Sequence, residues 1–278
     1  MPIFRPSELR SFLAEIGKHP QKSLSQNFLI DGNVLNNIIT CSACAPGDLV
    51  VEIGPGPGAL TEKLLEAGTK VLAIEKDAVF AELLPRLDPE NKMLEVHSND
   101  FLKFPLKERL QELLETGKKA KVVANIPYHL TSPIIEKVIE ARNFIESVTL
   151  MVQDEVALRM CTSSGKDIGS FSIFVQFYGE PHYAFIVPKK CFYPAPHVDS
   201  AVVHIVMNKR FNIAEKPFFE VVHNSFQHRR KMLRSSLKEL YSLEKITEAL
   251  KLLKKNETAR PEELSFEEWI QFFKFLEL

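Results

Sequence analysis

Four apolar stretches of this chain, each followed by a carboxylate or an amide side chain, constrain its fold more than any other feature. The stretches end at Glu52, Glu75, Asp100 and Asn125, and segments with helical periodicity lie between them. Alternating strands and helices form right-handed βαβ units, which build a parallel sheet. Because ligands bind beyond the carboxyl ends of parallel strands, we expect the four polar side chains to line one site.

The periodicity predicts an α/β fold with a Rossmann-like, mostly parallel sheet and a small C-terminal α-helical domain. Ser132 and Pro133 are expected to be the N-cap and first-turn residues of the helix at 133–142. The apolar runs Ser170–Tyr178 and Tyr183–Val187 lie only four residues apart and are expected to form one antiparallel hairpin. Strands are predicted at 49–53, 70–75, 93–97, 121–125, 147–153 and 200–206. Helices are predicted at 7–17, 33–43, 59–67, 77–86, 105–116, 133–142, 154–161, 217–226, 230–240, 244–253 and 266–276.

A glycine-rich loop at 54–58 follows the first of these strands. Its spacing, together with Glu75 at the end of the next strand, also satisfies a permissive dinucleotide fingerprint, so NAD is one candidate ligand. However, the two prolines of the loop have no backbone N–H to offer a phosphate, and Glu52 places a carboxylate at its entrance. S-adenosyl-methionine, which is cationic and has no phosphate, suits this loop better. Gly54, Gly56 and Glu75 are therefore predicted to bind that cofactor.

The segment from Asn125 to Tyr128 follows the fourth predicted strand. An ordinary strand end with a proline turn would have the same composition. In the functional interpretation, the Asn125 side-chain oxygen and the Pro127 carbonyl each accept a hydrogen from adenine N6, while Tyr128 stacks on the base. The two acceptors would tilt the nitrogen lone pair towards a methyl sulfonium. The segment therefore predicts methyl transfer to an exocyclic base nitrogen. Asp100 is a candidate acceptor for the cofactor adenine, although an aspartate after a strand is often a helix N-cap.

The net charge of −1 is unevenly distributed along the chain. Residues 1–188 carry −5, residues 189–260 carry +8 and residues 261–278 carry −4. A basic region of this kind can track RNA phosphates, although a solvated helix face has similar charges. The β pattern ends near 208–215, so we predict a catalytic, cofactor-binding domain at 1–210 and a helical RNA-binding domain at 211–278. The predicted RNA-binding residues are Lys189 and Lys190, with Arg229, Arg230, Lys231 and Arg234 at the start of the helix at 230–240.

Composition adds expectations about location and metals. At 278 residues and 45% hydrophobic, the chain is long enough for one large core and a smaller domain. Because no apolar run is long enough to span a membrane and the N-terminus lacks a signal-peptide block, a cytoplasmic location is expected. Cys41 and Cys44 have no second pair or histidine cluster near them in the sequence, so neither a metal nor a redox site is expected.

In this order, the motifs resemble those of the KsgA (RsmA) family of small-subunit ribosomal RNA adenine N6,N6-dimethyltransferases. The resemblance extends over nearly the whole chain. Ser25, His129, Asp154 and His197 depart from the family pattern, and the last two stand where lysines are usual. The residues that carry the resemblance are 26–29, 52–61, Glu75, 99–100, 125–128, 151–153, 155–157, 192–196, 198–203, Phe226 and 229–231.

The resemblance implies dimethylation of N6 on two adjacent adenosines in the 3′-terminal hairpin loop of 16S rRNA, with S-adenosyl-methionine as methyl donor. The substrate would be a 30S subunit or its precursor, and a monomer without an obligate protein partner is expected. Tyr128 and Phe192 would flank the target base. The cofactor would contact Asn27, Leu29, Gly54, Glu75, Asp100 and Asn125.

Two other functions share this fold. A large-subunit rRNA adenine methyltransferase of the macrolide-resistance type would use the same chemistry, but the segments 192–203 and 229–231 favour the small-subunit family. A non-catalytic assembly or transcription factor could keep the fold and bind RNA or DNA. The intact segment 125–128 argues against that alternative.

Overall fold

The computed structural model describes residues 4–21, 26–208, 211–228 and 230–278. The chain forms two compact units. Unit 1 consists of Met1–Ala157 and His182–Met207, and unit 2 of Leu158–Pro181 and Asn208–Leu278. Unit 2 thus includes residues 158–181, whereas the sequence-based boundary near 210 stays a prediction. Within the described residues, no helix is long and apolar enough to cross a membrane.

Unit 1 contains a seven-stranded sheet in the order β4-β3-β2-β5-β6-β9-β7. Strands β2 to β6 pair in parallel, and β9 is antiparallel to β6. A second, two-stranded sheet pairs β1 and β8 in antiparallel fashion. The strands are β1 (Phe28–Leu29), β2 (Leu49–Ile53), β3 (Lys70–Glu75), β4 (Leu94–Ser98), β5 (Ala120–Asn125), β6 (Ile145–Gln153), β7 (Gly179–Val187), β8 (Phe192–Tyr193) and β9 (Ser200–Met207).

The crossover helices of unit 1 lie close to their predicted positions. Leu64 packs with Val50 and Val71 in the core, where all three are buried. Asp31 caps one helix by accepting from the Asn33 N–H at 2.9 Å. The helices are α1 (Pro6–Glu15), α2 (Gly32–Ser42), α3 (Ala59–Glu66), α4 (Ala78–Leu83), α5 (Leu106–Leu113), α6 (Thr131–Glu140) and α7 (Asp154–Cys161), the last continuing into unit 2.

Unit 2 has a core rich in aromatic side chains. The Phe177 and Phe218 rings stack with their centroids 5.1 Å apart, and Phe273 meets Phe218 edge-on at 5.5 Å. Trp269 and Phe272, which lie in the same last helix as Phe273, are fully buried as well. The helices are α8 (Ser170–Tyr178), α9 (Glu215–Gln227), α10 (Leu233–Ser236), α11 (Leu243–Leu252) and α12 (Phe266–Glu277).

Three predicted elements are wrong. Ser170–Tyr178 forms helix α8 and not a strand, so the predicted hairpin is absent from these described residues. The prediction failed because a largely buried segment shows no clear period that would distinguish a strand from a helix. The antiparallel part of the sheet is instead formed by β6 and β9. The helix predicted at 230–240 is reduced to the single turn of α10. Helix α6 begins at Thr131, so Ser132 lies inside the helix instead of capping it.

Candidate active site

The carboxyl ends of the parallel strands form one cavity in unit 1. The register places Ile53 opposite Ile74 and Glu75 opposite Ser98, so the strands end at the same edge. This arrangement brings most of the predicted cofactor and catalytic residues together. Those that line the cavity are Asn27, Leu29, Gly54, Gly56, Glu75, Asp100, Asn125, Pro127 and Tyr128.

The backbone donors of the glycine loop are used within the protein. Gly54 N–H donates to the Ile74 carbonyl at 2.9 Å, and Gly58 N–H donates to the Pro55 carbonyl at 3.0 Å. Gly56 N–H donates to Glu75 Oε2 at 2.8 Å. The two prolines have no N–H. The loop therefore offers no free N–H to a phosphate, which argues against a dinucleotide and in favour of a ligand without phosphate.

Gly58 shows why this loop needs glycine. Its φ is +97°, and a Cβ there would lie 2.6 Å from Leu87 Cδ1 and 3.0 Å from Leu84 Cδ2. Both the backbone conformation and the close approach of these leucines therefore exclude a side chain. The tight turn directs the start of α3 towards the cavity.

Two buried glutamates give the cavity an acidic wall. Glu75 Oε1 also accepts from the Asp77 N–H at 2.7 Å, so both of its oxygens are hydrogen-bonded. Glu52 is 1% exposed, and its Oε2 has no hydrogen-bond partner. Burial, with a smaller contribution from the nearby Glu75 carboxylate, raises the pKa of Glu52 to about 8, and the neighbouring Thr61 limits the shift. Glu52 is therefore protonated at neutral pH, and a cation bound beside it would favour the release of that proton.

Asp100 occupies the end of β4 as both a cap and an ion-pair partner. Its Oδ1 accepts from the Leu102 N–H at 3.1 Å, which makes it the N-cap of a short 3-10 turn. Lys76 Nζ donates to Asp100 Oδ2 at 2.8 Å. That lysine hydrogen bond lowers the pKa of Asp100 more than burial raises it. The carboxylate is therefore ionised and can accept hydrogen bonds at neutral pH.

The segment 125–128 lines the same cavity as the glycine loop. Asn125 Nδ2 donates to the Asn27 carbonyl at 3.2 Å, which uses the amide nitrogen and not the amide oxygen. The Pro127 carbonyl already accepts the Leu130 N–H at 2.9 Å, so a substrate could use only its second lone pair. Tyr128 is partly exposed and lines the same cavity.

Phe192 is the one predicted catalytic residue that does not line this cavity. It lies in β8 opposite Leu29 of β1, and its side chain is 3% exposed and packed in the core. The prediction that Phe192 lies near the base rests on its sequence motif alone. That motif does not indicate that β8 pairs with β1. Its predicted contact with the base stays a prediction.

The predicted RNA-binding residues are distributed over both units. Lys189 and Lys190 are exposed in a 3-10 turn of unit 1, and Arg230 and Lys231 are exposed in unit 2. Arg234 forms an ion pair with Glu257 at 3.1 Å. Arg229 lies outside the described residues. Since α10 begins only at Leu233, it includes Arg234 but not Arg230 and Lys231, so these residues do not share the predicted amphipathic helix.

Sequence reasoning missed several residues that hold the cavity walls. Lys18 Nζ contacts both carboxylate oxygens of Asp77 at 3.1 Å and so fastens the N-terminal segment to the start of α4. Leu9 of α1 is fully buried and lines the cavity. Asp77 and Lys76 follow Glu75 directly, so their position at a strand end could have identified them. Nothing in the sequence singles out Lys18 or Leu9.

Arg86 is a further missed residue. Its guanidinium donates to the Pro57 carbonyl at 2.5 Å and to the Leu83 carbonyl at 2.7 Å, and it lies 4.8 Å from the Phe12 ring centroid. The arginine therefore connects the glycine loop to α1. Hydrogen bonds from a charged guanidinium are stronger than those from a neutral donor, and the cation–π contact with Phe12 adds to them. We therefore expect Arg86 to stabilise the glycine loop.

Comparison with known proteins identifies the family. A sequence model described as ribosomal RNA adenine dimethylase matches residues 17–278. The chain belongs to the ribosomal RNA adenine dimethylase family. Ribosomal RNA small subunit methyltransferase A of Protochlamydia amoebophila is 49% identical over 275 residues, covering 98% of this chain and 97% of that protein. The protein of the same name from Chlamydia felis is 44% identical over 278 residues, covering 98% and 95%. The resemblance read from the motifs is confirmed.

Solved structures agree with the dimethylase fold. The crystal structure of the 23S rRNA methyltransferase ErmE has a TM-score of 0.74 at 24% identity, covering 91% of this chain and all (100%) of that one. A dimethyladenosine transferase from Plasmodium falciparum has a TM-score of 0.72 at 24% identity, covering 90% and 98%. At this identity the likeness shows the fold alone. The predicted Rossmann-like methyltransferase fold is confirmed.

The buried Glu52 gives the ligand-free protein a predictable pH dependence. The native carboxyl keeps its proton up to about pH 8, whereas an ordinary one releases it near 4.5. The native state thus binds more protons than the unfolded state between these values, and stability falls as pH rises through them. Glu52→Gln should reduce that fall, measured as the change in Tm between about pH 5 and about pH 8. Glu244→Gln, an exposed glutamate of α11, is the control. An undiminished fall in Glu52→Gln would contradict the assignment.

Arg86→Ala should weaken cofactor binding. Loss of the hydrogen bond to the Pro57 carbonyl frees the glycine loop, and we expect the Kd for S-adenosyl-methionine to rise roughly tenfold, the worth of one charge-assisted hydrogen bond. Isothermal titration calorimetry measures this. Arg109→Ala removes an equal charge that is paired with Glu95 and Glu112 and should leave the Kd unchanged. Equal Kd values for both variants would argue against a role for Arg86.

Proposed function

We propose that this dimethylase transfers methyl groups from S-adenosyl-methionine to N6 of two adjacent adenosines in the 3′-terminal hairpin loop of 16S rRNA. The observation that carries the proposal is the position of Asn125 and Tyr128, which line the same cavity as Gly54 and Glu75. An amide acceptor and an aromatic ring thus face the loop and carboxylates suited to the methyl donor.

The residues of the cavity fit the methyl donor. Bound S-adenosyl-methionine supplies an electrophilic methyl group on a positively charged sulfur. Glu75 and Asp100 would accept hydrogen bonds from its hydroxyl and amino groups, and Gly54 and Gly56 allow close approach of the backbone. The carboxyl of Glu52, whose buried Oε2 has no partner, would release its proton and become negatively charged beside the bound cation. Asn27 and Leu29 would cover it from the N-terminal side.

Asn125 would act on the reacting nitrogen. The lone pair of adenine N6 is delocalised into the ring, and two acceptors near its hydrogens make the nitrogen more pyramidal and more nucleophilic. The Asn125 amide oxygen would be one acceptor, since the amide nitrogen bonds to Asn27. The second lone pair of the Pro127 carbonyl would be the other. The methylated ammonium is acidic enough to lose its proton to water, so no dedicated base is needed.

Tyr128 would hold the target base. An adenine must leave its stack to reach the cavity, and an aromatic ring at the entrance replaces part of the lost stacking energy. The ring of Tyr128 is partly exposed and so has a face available. Phe192 is proposed to flank the base together with Tyr128, as its motif predicts.

The choice of small-subunit rRNA rests on the relatives. Two proteins that are 49% and 44% identical over nearly the full length are both named ribosomal RNA small subunit methyltransferase A. ErmE, named for 23S rRNA, is only 24% identical. The proposed substrate is a 30S subunit or its precursor, met in the cytoplasm by a monomeric enzyme. Lys189, Lys190, Arg230 and Lys231 would contact phosphates, and residues 211–278 would form the RNA-binding domain.

Asn125→Ala should separate catalysis from cofactor binding. We expect kcat to fall roughly 100-fold to 1000-fold, as on removal of one preorganised polar group at the reacting atom. The Kd for S-adenosyl-methionine should rise no more than roughly fivefold, the worth of the hydrogen bond to Asn27. Single-turnover transfer of labelled methyl groups and calorimetry measure the two quantities.

Asn36→Ala, an exposed asparagine of α2, is the matched control and should change neither quantity. Equal losses of turnover and cofactor affinity in Asn125→Ala would assign Asn125 to cofactor anchoring and not to catalysis.

The substrate is tested by mass-spectrometric mapping of rRNA from cells that lack this protein. Both dimethyladenosines should disappear from small-subunit rRNA and return with the wild-type chain but not with Asn125→Ala. Modification of large-subunit rRNA should be unchanged. Persistence of both small-subunit modifications would refute the proposed substrate. A pure binding factor would transfer no label from S-adenosyl-methionine to immature 30S particles.

A further inference from the structure

Ser200 places a buried hydroxyl behind the cavity. It opens β9, its side chain is fully buried, and its Oγ lies 2.6 Å from the Tyr128 hydroxyl. Its backbone is opposite Gln153 at the end of β6, and β6 in turn places Met151 opposite Asn125. Three adjacent strands therefore fix Ser200 relative to the catalytic segment.

The hydrogen bond restrains the ring of Tyr128. The Tyr128 carbonyl accepts from Thr131 Oγ1 at 2.9 Å, so the backbone of the 3-10 turn is held at one end. A tyrosine side chain has two main rotatable bonds, and holding its hydroxyl as well as its backbone fixes the direction in which the ring projects and the position of the ring. Burial raises the pKa of Tyr128, so the hydroxyl stays neutral at physiological pH.

The neighbouring Asp199 connects the same strand to the basic segment. Asp199 Oδ1 accepts from the Lys189 N–H at 2.8 Å, and the Asp199 carbonyl accepts from the Asp154 N–H at 3.1 Å. The start of β9 thus anchors the turn that carries Lys189 and Lys190 as well as the ring of Tyr128. A substitution at the start of β9 would therefore affect both the proposed contact of Tyr128 with the base and the proposed contacts of Lys189 and Lys190 with phosphates.

We propose that Ser200 is a positioning residue for the target adenine. Its Oγ holds the Tyr128 ring at the position where the base stacks, and this places N6 beside the Asn125 acceptor. The inference rests on the proposed function and deepens it. Ser200 is not among the described residues that line the cavity, so it acts through Tyr128 and should not affect cofactor affinity.

A double-mutant cycle on the full-length protein tests the inference, with labelled S-adenosyl-methionine and immature 30S particles. Ser200→Ala and Tyr128→Phe should each lower kcat about fivefold, the worth of one hydrogen bond, with the cofactor Kd unchanged. The double variant should lose no more than either single variant, because both remove the same bond. Ser200→Thr keeps the hydroxyl and should recover most of the activity.

Ser147→Ala is the matched control, since Ser147 is also buried in the same strand pair but lies opposite Val206 at the far end of β6. It should leave kcat unchanged. Wild-type kcat in Ser200→Ala, or losses that multiply in the double variant, would overturn the inference. Tyr128→Phe removes the bond without altering buried β9, so wild-type kcat in that variant overturns it even if Ser200→Ala does not fold. Failure of the wild-type protein to label these particles would instead refute the proposed function.

Discussion

The hydrogen bond from the Gly56 N–H to the Glu75 carboxylate is the interaction on which the cavity depends. It joins the loop after β2 to the end of β3 at 2.8 Å and removes a donor that a phosphate would need. Gly54 and Gly58 also donate to backbone carbonyls. The loop consequently presents glycine surfaces and carboxylates to a ligand. This arrangement selects a cationic methyl donor over a dinucleotide, although the two kinds of loop are similar in sequence.

Asn125 contacts the N-terminal segment and is also the residue that we propose to bind the substrate. Its amide nitrogen donates to the Asn27 carbonyl, and its amide oxygen keeps its capacity to accept. The Asn125 side chain therefore holds the N-terminal segment at Asn27, and its amide oxygen is the acceptor that we propose for the reacting amine. Lys18 and Arg86 hold that segment at other points, through Asp77 and through the ring of Phe12. These contacts hold the N-terminal segment next to the cavity, and they could not be predicted from the four strand ends alone.

The parallel sheet could be predicted because short apolar runs, as expected for strands buried on both faces, alternate with segments of helical period. The predictions failed where that signal is weak. Six of the nine residues of Ser170–Tyr178 are apolar or aromatic and show no clear period, and the structure shows a largely buried helix there. At 230–240 the charges together with Leu233 and Leu237 suggest an amphipathic helix, but helix α10 has only four residues, although both leucines are buried. Local periodicity does not report how neighbouring elements pack.

The sequence by itself determined the family, the glycine loop and the polar residues at the strand ends, because each is written in a short, continuous segment. Only the tertiary structure decided which side chains meet across long stretches of chain. It paired Phe192 with Leu29 and buried it, brought Arg86 to the Pro57 carbonyl, and placed Ser200 against the Tyr128 hydroxyl. These contacts depend on sheet order and register, which arise from the packing of the whole unit and leave no local pattern in the sequence.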